Sequence, residues 1–85
     1  MKPRALLDRA ARGDVRNVKF ADLQRLVEAM GFEPDRTRGS HIMYRHPGVR
    51  EKVNIQPQGH QAKPYQVRQV VELAARYSLE VENDQ

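Results

Sequence analysis

The sequence predicts an α+β fold, a three-stranded antiparallel sheet with helices packed on one face, in the order α-α-β-β-β-α. Three observations carry this. Apolar residues recur at spacings of three and four in residues 20–30 and again after Pro64. Between those stretches, residues 41–46 and 51–56 alternate with a period of two. Turn-forming residues, Thr37-Arg38-Gly39-Ser40 and Pro47-Gly48, divide the alternating runs, which implies an antiparallel meander.

Taken in order, residues 4–12 form a short helix with Leu6, Leu7, Ala10 and Ala11 on one side, stopped at Gly13. Residues 14–19 read as a polar connection. The second helix carries the stripe Phe20, Leu23, Leu26, Val27 and Met30, and Gly31 ends it by accepting a left-handed conformation. Residues 32–37 are a first strand, and Pro34 within it points to a sheet edge. In 41–46, Ile42 and Tyr44 face one way and His41, Met43 and Arg45 the other; in 51–56, Val53 and Ile55 oppose Lys52, Asn54 and Gln56. Residues 56–63 read as a polar loop. Pro64 suits the first turn of a last helix reaching Tyr77, with Val67, Val70, Val71 and Ala74 as its buried stripe. The helices are expected to cover the face with Ile42, Tyr44, Val53 and Ile55, leaving the His41 and Arg45 face to solvent or a ligand.

Eighty-five residues make one domain, assigned to residues 1–79, with an acidic tail at 80–85 expected to fray. A domain this small buries only about 60–65% of its unfolded surface, so a shallow site suits it better than a deep pocket. The chain has no cysteine, which rules out disulfide scaffolds and thiolate zinc sites and fits a reducing cytoplasm. No apolar run is long enough to span a membrane, and the basic start Met1-Lys2-Pro3-Arg4 lacks the apolar segment of a signal peptide. Fifteen basic residues face eleven acidic ones, but Glu80, Glu82 and Asp84 lie in the tail, so residues 1–79 carry +7. A basic body of this size suits a polyanion such as nucleic acid, although a plainly soluble surface gives the same count.

Three histidines are present, His41, His46 and His60, with no His-Glu-X-X-His or comparable set, so no metal or other cofactor is expected. His41 follows Gly39 and Ser40 at a turn, with Arg38 and Arg45 near it in sequence. A histidine beside cations has what metal-free RNA cleavage requires. A base helps the 2′-hydroxyl attack phosphorus, an acid assists the leaving oxygen, and cations steady the phosphorane. Spacing alone is met better by a surface histidine at a hairpin end. Ser40 lies in no Gly-X-Ser-X-Gly elbow, so a turn hydrogen bond or a phosphate contact suits it better than nucleophilic attack. A second basic set, Lys63 and Arg68 with Arg76 beyond them, surrounds the start of the last helix, where N–H groups favour anions. Tyr65 there is placed to stack on a base or to serve as partial core.

The run from Phe20 through Gly31-Phe32, then Arg38-Gly39-Ser40-His41 and the aromatic Tyr44, resembles the HicA family of type II toxin–antitoxin systems, over roughly residues 17–79. The ending Gln61-Ala62-Lys63-Pro64-Tyr65-Gln66-Val67 resembles one branch of that family. The resemblance implies a double-stranded-RNA-binding-like fold, to which residues 4–12 are an N-terminal extension. It also implies a cytoplasmic mRNA interferase with His41 as the catalytic residue, and a HicB-like antitoxin that binds over the site. On this reading Arg38, Arg45 and Lys63 hold phosphate, Gly39 lets the substrate approach the backbone, and Ser40, Tyr65 and Arg68 complete the RNA contacts. Where many members have Pro-X-His after the third strand, this chain has Pro57-Gln58-Gly59-His60, with the histidine displaced by one. A non-catalytic RNA-binding module of the same fold and a protein–protein adaptor are the other readings of the same surface.

Overall fold

Helix α1 (Pro3–Ala11) and helix α2 (Phe20–Ala29) precede the strands β1 (Glu33–Arg38), β2 (His41–His46) and β3 (Val49–Ile55), and helix α3 (Pro64–Arg76) closes the chain. The computed structural model describes residues 1–82. The three strands pair antiparallel in the order β1-β2-β3, so β1, with its Pro34, lies at an edge. The order α-α-β-β-β-α is the expected one.

The helices form where their apolar stripes face the sheet. Leu23, Leu26, Val27 and Met30 of the α2 segment are buried, as are Val67, Val70, Leu73 and Ala74 of α3. With Leu6 and Ala10 of α1 they close over Tyr44, Val53 and Ile55 in one apolar cluster. Each fully buried aliphatic side chain contributes about 1.5–3 kcal/mol. Leu73 replaces Val71 in the expected α3 stripe; Val71 is only half-buried. Helix α2 ends in a Schellman motif. Gly31 (φ +97°) donates to the Glu28 carbonyl at 3.0 Å, and Phe32 donates to the Val27 carbonyl at 3.3 Å.

Three expectations are corrected. Residues 14–19 are not simply polar, because Val15 and Val18 belong to the core. The segment 56–63 is not an open loop. It holds a small hairpin, β4 (Pro57–Gln58) against β5 (Gln61–Ala62), stitched to the approach to α2. Ala62 donates to the Val18 carbonyl at 2.8 Å and Phe20 to the His60 carbonyl at 2.9 Å. Its strands are too short to show alternation, and their partners come from elsewhere in the chain. The start of the tail does not fray: Val81 is buried, and Glu82 donates to the Ala29 carbonyl at 2.9 Å. Residues 83–85 of the expected tail lie outside the described residues. No helix among the described residues is long and apolar enough to cross a membrane.

Candidate functional site

The site grows from the turn between β1 and β2. Arg38 pairs with His41 across a two-residue connection, Gly39-Ser40. Gly39 has φ +59° and Ser40 does not share the positive sign, the pattern a type II′ hairpin turn needs, with glycine at its first central position. The turn therefore holds the Arg38 and His41 side chains next to each other on one face of the sheet, since paired residues of antiparallel strands point the same way.

Alternation from Arg38 brings Arg36 onto the same face, and a bulge precedes it. Pro34 pairs with Tyr44, but Arg36 pairs with Met43, so Asp35 is one residue extra on β1. With regular pairing from Pro34 onward, Arg36 would lie opposite Ile42, on the helix-covered face. The extra residue reconciles the pairing of Pro34 with the register set by the turn, which keeps Arg36 and Arg38 on the face of His41 and Met43. Asn54 of β3 pairs with Met43 from the other side. Arg36, Arg38, His41, Met43 and Asn54 line an open concavity of about 350 Å³ on the bare face of the sheet. Neither Arg36 nor Arg38 makes an ion pair within 4 Å among the described residues. The concavity thus presents two guanidinium groups and an exposed imidazole around a half-buried thioether.

Lys63, the residue capping α3, reaches the same turn from behind. Its Nζ donates to Gln56 Oε1 at 2.9 Å, and Gln56 Nε2 donates to Ser40 Oγ at 3.4 Å. Gln56 is itself held, because its backbone N–H donates to Oε1 of the buried Gln66 at 2.9 Å. Gln66 Nε2 in turn donates to the Tyr65 hydroxyl at 3.3 Å, while the Tyr65 ring stays 60% exposed. Tyr65 is thus not core. Arg68 is exposed one turn further along α3.

Arg45 lies on the His41 face but at its far end. The two are four residue steps apart along β2, roughly 13 Å. There Arg45 faces the Asp35 carboxylate, 4.0 Å away, which also accepts from Lys52 at 2.9 Å. The Lys52 ammonium, with Arg45 further off, holds the Asp35 carboxyl below its ordinary range. Arg76, on α3, pairs with Glu51. The three histidines stay apart. His46 lies on the helix side, its Nδ1 accepting from the Gly48 N–H at 2.9 Å and its Nε2 3.1 Å from the Met30 carbonyl. His60 lines a different concavity with Lys19, Phe20 and Gln24. Among the described residues, no group of three or more His, Asp or Glu side chains is placed to hold a metal ion.

Sequence reasoning did not assign Arg36, Met43, Asn54 or Gln56 to the site. Alternation already puts Met43 and Asn54 on the open face, and carried back from Arg38 it puts Arg36 there as well; Gln56 joins only through Lys63 and Ser40.

A sequence model described as "HicA toxin of bacterial toxin-antitoxin" matches residues 20–75, well over half of the chain. Neither a curated protein nor a solved structure gives a significant match.

Proposed function

The chain belongs to the HicA family of bacterial toxin–antitoxin toxins, and from that premise we propose that it is a metal-independent endoribonuclease that cleaves mRNA through His41. The observation that carries the reading is the pairing of His41 with Arg38 across a tight turn, beside Arg36, in a concavity open to solvent. RNA supplies its own nucleophile. The imidazole of His41 takes the proton of a 2′-hydroxyl, the 2′-oxygen bonds to the adjacent phosphorus, and the bond to the 5′-oxygen breaks. The products are a 2′,3′-cyclic phosphate and a 5′-hydroxyl, the leaving oxygen taking its proton from water and the proton on His41 returning to solvent. Arg36 and Arg38 offset the charge that gathers on the phosphorane. Lys63, held by Gln56, adds charge behind Ser40, and Gly39 keeps the turn backbone accessible. Tyr65 and Arg68 extend the surface along α3, and Arg45 meets RNA only beyond the groove. The partner implied by the family is an antitoxin, HicB-like on this reading, that covers the His41 face. The setting is the cytoplasm.

The test is cleavage of a single-stranded RNA by the purified chain with and without a chelator. His41→Ala should lower the rate about 10²–10⁴-fold while RNA binding persists, and a 2′-deoxy substitution at the cleaved nucleotide should block the reaction. Equal cleavage by His41→Ala would remove the histidine from the mechanism. One observation favours a second reading, a non-catalytic RNA-binding module: no hydrogen bond orients the His41 ring among the described residues. Intact RNA with the wild-type chain, bound but uncut, would establish that reading.

A further inference from the structure

The concavity beside His41 has a composition that phosphate binding does not explain. Phosphate is served by Arg36 and Arg38 on β1. Beside them stand Met43 and Asn54, neither of which carries a charge. Register puts Arg36, Met43 and Asn54 side by side in one row across all three strands, and Arg38 and His41 in the next row. Rows on one face are two residues apart, roughly 6.6–6.8 Å, close to one nucleotide step of an extended single strand.

We propose that Met43 and Asn54 form a nucleobase subsite that reads one base next to the cleaved phosphate, an inference that rests on the groove being the RNA site. Met43 is half-buried in the floor of the groove and offers a polarizable thioether, which makes favourable contacts with aromatic rings. Asn54 is exposed at the groove wall, and its side chain makes no hydrogen bond among the described residues. Its amide presents a donor and an acceptor side by side, the arrangement that pairs with a base edge. A base splayed out of a single strand would lie on Met43 with its edge toward Asn54, while the phosphates flanking it meet Arg36 and Arg38. The two arginines supply the charge that selects a polyanion; the thioether and the amide select the base. A double helix keeps its bases stacked and cannot use this subsite, so the ligand is single-stranded RNA.

The experiment measures binding of an uncleavable 2′-O-methyl RNA decamer, in which each position in turn carries each of the four bases or none. Without a 2′-hydroxyl the ligand reports the subsite independently of the cleavage reaction. The wild-type chain should discriminate among bases at one position about tenfold and lose about tenfold when that base is absent. Asn54→Ala should flatten the discrimination without altering the melting temperature, and the isosteric Asn54→Asp, which only accepts, should change which base is preferred. Met43→Leu, which keeps volume but not sulfur, should weaken binding of every base and leave the abasic RNA unaffected. The subsite is overturned if abasic and intact decamers bind alike, or if both Asn54 variants keep the wild-type base profile. Discrimination that depends on Asn54, in a chain that leaves ordinary RNA uncut, would keep the subsite and remove the nuclease reading. Failure of the folded chain to bind any decamer at low salt would remove both.

Discussion

Tyr44 is the only fully buried residue of β2, and it carries a hydroxyl into the core. The hydroxyl donates to Glu28 Oε2 at 2.8 Å, tying the sheet to α2. Burial first, and then the hydrogen bond to the Glu28 carboxylate, push its pKa from 10.0 up to about 12. The folded state therefore holds this proton more tightly than the unfolded chain. The associated stability is complete below pH 10 and is lost as pH rises toward about 12. Urea unfolding at a series of alkaline pH values should show this decline in the wild type and a shallower one in Tyr44→Phe. At neutral pH the variant should lose about 1 kcal/mol, the net worth of one hydrogen bond. Parallel pH profiles for the two chains would remove Tyr44 as the cause. Gly31 is constrained from two sides. Its φ of +97° strains any side chain, and a Cβ would meet His46 Nε2 at 3.0 Å. Gly31→Ala should cost about 1–2 kcal/mol from the backbone conformation alone, read as a lowered urea midpoint. An unchanged midpoint would mean that the backbone there relaxes freely.

All three helices end in the same way, with a residue of positive φ accepting the chain's reversal. In α1 and α2 that residue is glycine, Gly13 and Gly31. In α3 it is Ser78, at φ +53°, with Leu79 donating to the Ala74 carbonyl at 2.9 Å. A serine in this conformation carries strain that glycine does not. Ser78→Gly should therefore stabilise the protein by about 1 kcal/mol and raise the melting temperature by about 4–8 °C for a domain of this size. A lower melting temperature would show that the serine side chain makes a contribution of its own. The clasp between the end of α2 and the β2–β3 turn works by a different means. His46 accepts from Gly48 and bonds the Met30 carbonyl, while its ring meets Phe32 edge-on at 5.0 Å. This fixes the closed end of the sheet and leaves the β1–β2 turn, with His41, at the open end.

Charge is sorted across the molecule rather than spread evenly. On the open face, Glu33 and Asp35 stand with Arg45 and Lys52 at one end, and Arg36, Arg38 and His41 at the other. Only the second end projects an unbalanced positive field, and α3 brings Lys63 to its margin through Gln56. If Arg36, Arg38 and Lys63 each meet one phosphate, binding of single-stranded RNA should weaken with salt with a log–log slope of about 2, and Arg36→Ala or Arg38→Ala should each lower that slope by about 0.7. Removing Arg45 should change it much less, since Asp35 already balances that charge. A slope near zero for the wild-type chain would argue for a docking surface that does not depend on phosphate.

Much of this was readable from the linear chain, because it depends on neighbours in sequence. The helical stripes, the alternation of β2, the turn at Gly39-Ser40 and the stop at Gly31 are local properties. They place His41 on a bare sheet face beside Arg38 without reference to anything distant. The remainder was decided by pairing between segments that the sequence does not mark. Whether Asp35 is accommodated as a bulge depends on β2, and that one residue decides that Pro34, rather than Asp35, lies opposite Tyr44 while Arg36 and Arg38 keep the register set by the turn. Gln56 and Lys63 join the turn only because the chain returns from β3 into α3, and residues 57–62 become a hairpin only because residues 18–20 give their backbone groups partners. Local periodicity thus determined the elements and the face that carries the histidine. Register and long-range hydrogen bonding, whose energies exist only once distant segments meet, decided which residues of that face stand in one row beside it and that Gln56 and Lys63 reach its turn.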